Sequence, residues 1–350
     1  MNMQNTKFDT NQLHEARYYT VQVTTRGTEA VCHLCPHQCH IESGSVGRCR
    51  SRLFADGKLW ALSYAEPCAV ALDPVEKKPL LHFHPGMECL SLACTGCNLR
   101  CLNCQNYDIS QASPHDVRHA RLTPDGVVAM CERQHAPAIA YTYTEPLTWM
   151  EYLTDTARKA HQHGLLNVLV SAGYVNPEPL HDVLPYLDAA NIDLKAFSDE
   201  VYHRLNGASL QPVLNTLQVL RQSGVWLEIT NLLIPEWNTD EKMLRQMCRW
   251  LVDNGFADVP LHFSRFFPTF RLTSVPPTPL ATLLKAREIA RHTGMHYVYI
   301  GNATEVNGQD TCCPDCGKLL VRRHGYSVES NLITADGCCP GCGCRVAGRW

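Results

Sequence analysis

Cys97-Asn-Leu-Arg-Cys101-Leu-Asn-Cys104 sets three thiols at C-x3-C-x2-C spacing. Three thiolates on one loop can ligate three irons of a 4Fe-4S cluster and leave the fourth iron without a protein ligand, open to chemistry. A structural zinc is the competing reading, with Cys94 as its fourth ligand. Two more cysteine groups flank this one. Cys313-Pro-Asp-Cys316-Gly and Cys339-Pro-Gly-Cys342-Gly form two near-identical knuckles separated by twenty-two residues. Four such thiolates make a closed tetrahedral site of the zinc-ribbon kind, which iron could also occupy. Cys312, Cys338 and Cys344 leave that ligand set ambiguous by a residue. Near the start, Cys32, Cys35, Cys39 and Cys49 could hold zinc or a second iron-sulfur cluster, with His33, His37 and His40 as alternative ligands. A structural metal is favoured there, because nothing in the segment identifies an electron partner. Cys68, Cys89, Cys131 and Cys248 stand apart and read as small buried apolar residues.

The elements that must position these groups alternate between short β-rich runs and amphipathic helical stretches, which predicts a parallel sheet. Strands are expected at Leu90 to Ala93, Ala138 to Tyr143, Leu166 to Ser171, Asn191 to Leu194, Trp226 to Leu232, Pro260 to Ser264 and Tyr297 to Ile300. Leu210, Val213, Leu214, Leu217 and Leu220 recur at helical spacing, as do Met243, Leu244, Met247, Trp250 and Leu251. Thr239 and Thr278 are candidate N-caps; Gly164 and Gly224 sit where helices should stop. Six or seven β/α units favour an open or complete barrel over a doubly wound sheet, and both gather ligands at the carboxyl ends of the strands. The expected parts are a Cys-rich metal-binding module at 1–60, the barrel at 61–305 and a zinc-ribbon-like module at 306–350.

Composition narrows the function classes. The chain has 350 residues, 45% hydrophobic, with 31 Lys+Arg against 34 Asp+Glu and 19 cysteines. A net charge of -3 gives no basic excess to make phosphate-backbone binding the first reading. No apolar run reaches membrane-spanning length and the first twenty residues lack a signal-peptide pattern, so a cytoplasmic, non-membrane protein is expected. In a reducing compartment, clustered thiols read as metal ligands rather than disulfides.

The cysteine loop directly after the first barrel strand resembles the radical S-adenosylmethionine (SAM) superfamily. That resemblance implies SAM chelated to the open iron, reductive cleavage to a 5'-deoxyadenosyl radical, and hydrogen abstraction from a substrate. It also implies roles at other strand ends. Glu145, in Tyr141-Thr-Tyr-Thr-Glu145-Pro146, would accept hydrogen bonds from the SAM ammonium. Ser171, followed by Ala172-Gly173, would lie by the ribose. Asp193-Leu-Lys195 resembles the D-x-K element of glycyl-radical-enzyme activases. In Trp226-Leu-Glu228-Ile-Thr-Asn231-Leu the period-two pattern predicts Asn231 near the strand end, close to the adenosine. Where the superfamily carries an aromatic or apolar residue before the third cysteine, this chain has Asn103, so the adenine contact passes to Leu102 or Tyr107.

Taken together, Cys32-x2-Cys35-Pro-His37, Asp73-Pro-Val-Glu-Lys-Lys-Pro-Leu, Gln105 to Gln111, the Glu145 motif, Phe263 to Pro268, Tyr297 to Asn302 and the terminal ribbon resemble the AmmeMemoRadiSam system radical SAM enzymes. These are related to pyruvate formate-lyase activating enzyme. The resemblance implies a Memo-like protein and a second companion as partners, and an electron donor such as flavodoxin or ferredoxin. The substrate is expected to be small or presented by a companion. Alternatives are a glycyl-radical-enzyme activase and an RNA-modifying enzyme. Residues 312–350 hold five Lys+Arg and three Asp+Glu, a net of +2, too little to favour RNA. One of the terminal modules is expected over or beside the barrel opening.

Overall fold

The computed structural model describes residues 13–25, 27–304 and 306–350. Eight strands form its central sheet: β1 (Ala69–Pro74), β2 (Glu88–Ala93), β3 (Ala138–Tyr141), β4 (Leu166–Ser171), β5 (Ala189–Asp193), β6 (Trp226–Leu233), β7 (Leu261–Arg265) and β8 (Val298–Gly301). They lie side by side in sequence order. β2 to β8 are parallel and β1 runs antiparallel to β2. Because β1 and β8 are the two edges, the barrel is open along one seam. The seven parallel strands are those the sequence predicts. β1 is an addition, since no helix follows it to complete a β/α unit.

Helices α1 (Pro124–Gln134), α2 (Met150–Gln162), α3 (Pro177–Val183), α4 (Leu210–Ser223), α5 (Glu241–Asp253) and α6 (Leu280–Thr293) follow successive strands. Leu90, Ile139, Leu169, Ile192, Ile229 and Phe263 share one core with Val127, Leu153, Leu217, Met247 and Ile289 of these helices. Two caps differ from expectation. Asp240, not Thr239, caps α5 by accepting from Met243 N. Thr278 is buried and spends its hydroxyl on Leu233 O while accepting from Phe266 N, so Pro279 begins α6. Gly224 ends α4 at φ 84°, a conformation that favours glycine.

Period-two alternation turns the other strand face inward. Cys89, Ala138, Ala140, Val168, Ala189 and Trp226 pack there against Val75, Leu80 and Phe83. The chain after β1 therefore enters the barrel and fills its lower half. Leu81 and His82 donate their backbone N–H groups to the Glu228 carboxylate at 3.1 and 2.8 Å. Trp226 Nε1 and His262 Nε2 approach the same carboxylate at 3.0 and 2.6 Å. Burial alone raises a carboxyl pKa, but these partners outweigh it and hold Glu228 below its usual range. Asn191 Nδ2 secures Pro79 O at 2.8 Å.

The carboxy-terminal module supports this floor. Its antiparallel strands Thr311–Cys312, Leu319–His324 and Ser327–Asn331 place Leu320, Val321 and Val346 in one core with Leu81, Tyr297 and Tyr299. Arg323 Nη2 donates to Leu81 O at 2.5 Å and Arg349 N to His82 O at 2.8 Å. Tyr297 precedes β8, so the module sits at the amino ends of the strands and along the seam. As a cover for the opening it is ruled out by this position.

The amino-terminal module lies at the other end. Its two small sheets are built from residues 14–61, and they meet the loops that leave the strand carboxyl ends. Ser51 Oγ donates to Thr95 O at 3.1 Å, Asn176 N to Leu34 O at 3.1 Å, and Arg48 Nη2 to Gly207 O at 3.0 Å. Arg52 makes a two-pronged pair with Glu151 at 2.8 Å, both residues fully buried. This module stands beside the opening.

Candidate active site

The loop after β2 carries the three cysteines across the barrel top. Cys97 is buried, and Cys101 and Cys104 are partly exposed. Backbone bonds fix the loop to the turn after β5: Arg100 N donates to Asn206 O at 2.7 Å and Leu102 N to Leu205 O at 2.9 Å. Each sulfur has a polar neighbour, namely Leu99 N on Cys97 at 3.3 Å, Asn206 Nδ2 on Cys101 at 3.1 Å and Ser110 Oγ by Cys104 at 3.1 Å. Cys94 turns away, fully buried, with its thiol on Ser63 O. The four-cysteine zinc reading therefore loses its fourth ligand.

Spacing separates one-ion sites from cluster sites. Around one zinc with Zn–S bonds of about 2.3 Å, tetrahedral geometry puts the sulfurs about 3.8 Å apart. Cys313 and Cys342 Sγ lie 3.5 Å apart, and Cys316 and Cys339 Sγ 3.7 Å. Among the described residues these four form the one set of three or more cysteine, histidine or acidic ligands whose atoms all lie within 4.8 Å of one another. This resolves the ambiguity with Cys312, Cys338 and Cys344. Cys97, Cys101 and Cys104 sit wider than a single ion permits, which suits a polynuclear cluster. Burial pushes the Cys97 thiol well above its ordinary pKa. It raises that of Cys101 as well, against the pull of Lys195 and Asn206. A metal bound there would have to displace those protons. Asn103 Oδ1, buried in the same loop without a partner, remains an acceptor in need of a donor.

At the end of β5, Lys195 Nζ bonds Asp193 Oδ2 at 2.9 Å, both side chains partly accessible. Burial disfavours the lysine's charge, but Asp193 and the neighbouring Cys101 outweigh it and raise its pKa. A fixed cation and a carboxylate thus flank the cysteine loop. Glu145 is placed differently from the expectation. It is fully buried, its Oε1 accepting from Leu147 N at 3.1 Å and Ser171 Oγ at 2.6 Å, and its Oε2 from Ala172 N at 2.8 Å. Burial, its largest influence, raises its pKa against these donors. Glu145 and Ser171 therefore tie the ends of β3 and β4 together and offer no free oxygen at the opening. Gly173 is needed for packing: at φ 66° an added Cβ would lie 3.0 Å from Ile192 and 3.2 Å from Thr216. Asn231 is also corrected. The alternation that turns Glu228 and Thr230 inward turns Asn231 outward, where its Nδ2 holds Leu194 O at 2.6 Å. Leu102 packs beside Leu205, Ile234 and Phe266, while Tyr107 stacks on Phe270 with ring centres 4.6 Å apart.

Sequence reasoning missed Asn206, whose only signal is a polar residue before Gly207 in an otherwise ordinary stretch. It also missed what Asp73 does inside the barrel. Its carboxylate takes Lys77 at 2.7 Å, Lys78 at 2.8 Å, Ser91 at 2.6 Å and the Tyr143 hydroxyl at 2.6 Å. Tyr143 adopts φ 72°, strained for a non-glycine residue, and its carbonyl accepts from Asn106 Nδ2.

An open parallel β/α barrel with three cysteines on the loop after its first parallel strand defines an iron-sulfur enzyme of the radical type. Comparison agrees: residues 92–248 match the family model of the radical SAM superfamily. An uncharacterised protein of Methanocaldococcus jannaschii is 43% identical over 305 residues, 87% of this chain and 90% of that one. The pyruvate formate-lyase 1-activating enzyme of Escherichia coli is 23% identical over 213 residues, 57% of this chain and 87% of that one. Streptococcus suis SuiB bound to precursor peptide SuiA has a similar fold, with TM-score 0.50 at 10% identity over 66% of this chain and 52% of that one. The chain belongs to the radical SAM superfamily and is an enzyme. Among the described residues no helix is long and apolar enough to cross a membrane.

Proposed function

We propose that this enzyme holds a 4Fe-4S cluster on Cys97, Cys101 and Cys104 and reductively cleaves SAM beside Asp193 and Lys195. The observation that carries the reading is the juxtaposition of a three-cysteine loop, too widely spaced for one ion, with a charged pair on the neighbouring strand end. Bound there, the cluster and SAM would supply a 5'-deoxyadenosyl radical that abstracts a hydrogen atom. The chain's own residues do the rest. Asp193 and Lys195 complement the ammonium and carboxylate of SAM. Asn206 gives a hydrogen bond to the Cys101 sulfur, and Asn103 Oδ1 awaits a donor such as an adenine amino group. Glu145 and Ser171 position the β3 and β4 loops. In the four C-terminal cysteines a zinc ion would stiffen the module that supports the floor.

The substrate is read as small or partner-presented, in a cytoplasmic enzyme of the AmmeMemoRadiSam type, whose sequence motifs carry the expectation of a Memo-like companion. A recess between the inserted segment and β7 and β8 is lined by Lys77, His262, Ser264 and Tyr299 and also by Gln309 and Tyr326 of the carboxy-terminal module, so it opens along the seam and not beside the cysteine loop. Similarity to the pyruvate formate-lyase activating enzyme favours an activase as the second reading. Arg100 stands among Arg48, Arg50 and Arg271, which together with burial lower its pKa. Such a cationic surface by the cysteine loop suits an acidic electron donor of the flavodoxin or ferredoxin kind.

An isotope experiment tests the substrate class. Cells grown in heavy water are separated into small-molecule and protein fractions, each supplied to the reduced enzyme with SAM. Deuterium in 5'-deoxyadenosine should follow the small molecules, or a small companion protein. Deuterium that follows a large enzyme, with a glycyl-radical doublet in electron paramagnetic resonance, would establish the activase reading instead.

A further inference from the structure

Cys32, Cys35, Cys39 and Cys49 come from different turns and strands of the amino-terminal module, yet all four line one cleft. The four thiols feel one another's charge, but no three of them close to the spacing of the C-terminal set, where every sulfur lies within 4.8 Å of the others. The same chain thus builds one four-cysteine site collapsed to single-ion dimensions and another that leaves space between its sulfurs. The second shares its wide spacing with the catalytic cysteines.

The rest of the lining matches an anionic cluster with acceptor sulfides. Arg48 and Arg52 border the cleft, and each has a buried Nε–H without a partner. Arg52 is only 1% exposed, and burial, the largest influence on it, is outweighed by Glu151, Cys32 and Cys49, so it stays charged. Asn98, 2% exposed, also borders the cleft, its Nδ2 donating to Tyr174 O at 2.7 Å. Orphaned buried N–H groups are costly and point to a missing acceptor. An iron-sulfur cluster carries bridging sulfides besides its thiolates, and so offers more acceptors than four thiolates on a zinc ion.

Position gives the site its role. Asn98 follows Cys97 directly in the catalytic loop, and His37 Nε2 lies 2.9 Å from the Asn98 carbonyl. On the other side of Cys97, Gly96 sits against Cys49 at φ 91°; an added Cβ would fall 2.4 Å from the Cys49 carbonyl and 2.2 Å from Ser51 Oγ. Residues of the amino-terminal cysteine group therefore hold the Cys97 segment from both sides.

We propose that Cys32, Cys35, Cys39 and Cys49 hold a second 4Fe-4S cluster that relays single electrons to the catalytic one. An external low-potential one-electron donor reduces the second cluster from the 2+ to the 1+ state. Passing that electron on returns it to 2+ as the catalytic cluster goes from 2+ to 1+. This rests on the proposed function only for its destination, and it takes the iron-sulfur alternative over a structural metal at this site.

Metal analysis of anaerobically purified wild type, the Cys97→Ala/Cys101→Ala/Cys104→Ala variant and the Cys32→Ala/Cys35→Ala variant tests it. The expected wild type carries about eight irons and eight sulfides per chain, and each variant about four. Reduced with dithionite, the wild type should show resonance signals broadened by magnetic coupling between neighbouring clusters. The catalytic-loop variant should show one uncoupled signal indifferent to SAM. Four irons in the wild type, all lost from the catalytic-loop variant, with zinc lost from the amino-terminal variant, would overturn the second cluster and leave the proposed function standing. Eight irons without magnetic coupling would overturn the relay. Irons unaffected by the catalytic-loop substitutions would instead refute the proposed function. The wild-type count alone decides between four and eight if the amino-terminal variant fails to fold.

Discussion

Cys97, Cys101 and Cys104 differ from the other sixteen cysteines in lying together on a loop at the barrel opening, beside a lysine held charged by its neighbours. Asp193 and Lys195 should bind SAM through charge-assisted hydrogen bonds. Lys195→Ala is therefore expected to weaken SAM binding by about 1.5 to 3 kcal/mol, roughly tenfold to a hundredfold, in equilibrium dialysis. Unchanged affinity would remove the pair from the site. Glu145→Gln tests a different role, because its carboxylate accepts three internal donors and one amide oxygen cannot serve both sides. It should lower the unfolding midpoint, with a cost on the order of 1 to 3 kcal/mol. A stability equal to wild type would contradict the positioning role. These two outcomes mark what the sequence could and could not say. The identity of the acid and the lysine was legible from their places after strands, but exposure was not. Whether a carboxylate faces ligand or its own backbone depends on contacts between Glu145 and Ser171, twenty-six residues apart.

At the scale of elements, the inserted segment between β1 and β2 replaces the side-chain layers that usually fill a barrel. His82 within it is fully buried, and burial lowers its pKa to about 4. In the unfolded chain the imidazole takes up a proton near its ordinary value of about 6.5, while in the folded chain it stays neutral until about pH 4. The unfolded state therefore binds more protons between those values. Stability should fall as pH drops from 6.5 toward 4, by up to about 1.4 kcal/mol per unit. Urea unfolding of wild type and His82→Asn across this range checks it: the variant should show a flatter dependence, and parallel curves would contradict the assignment. The seven parallel strands were legible because each is a short apolar run and all but the last are followed by a helix. The inserted segment was not. Its Lys77-Lys78 pair argues for solvent by composition, and only the Asp73 carboxylate, reached through the fold of β1, makes Lys78 tolerable inside. Asn231 failed for a simpler reason: period two gives which residues share a face, but not which face is inner.

Across the whole molecule, two cysteine modules act on opposite ends of one barrel. The carboxy-terminal four-cysteine site is at single-ion spacing and its strands share a core with Leu81, Tyr297 and Tyr299. Removing the metal proposed for this site should loosen the barrel floor. Cys339→Ala is expected to raise hydrogen exchange in residues 79–84 and in the strand pairs near Tyr297, with little effect on the catalytic loop. Exchange confined to residues 311–346 would show that the ribbon is independent of the floor. In the sequence, spacing alone singles out both cysteine groups. It could not reveal that one supports the floor and the other flanks the catalytic loop, since that follows from contacts such as Arg323 with Leu81 and Cys49 with Gly96. The proposed chemistry depends on the three-cysteine loop, and 5'-deoxyadenosine formed from SAM under anaerobic conditions with dithionite tests it. Iron-loaded wild type should release it, and the Cys97→Ala/Cys101→Ala/Cys104→Ala variant, folded by circular dichroism, should release none. Equal release from both proteins, or none from a fully iron-loaded wild type, would contradict the central claim.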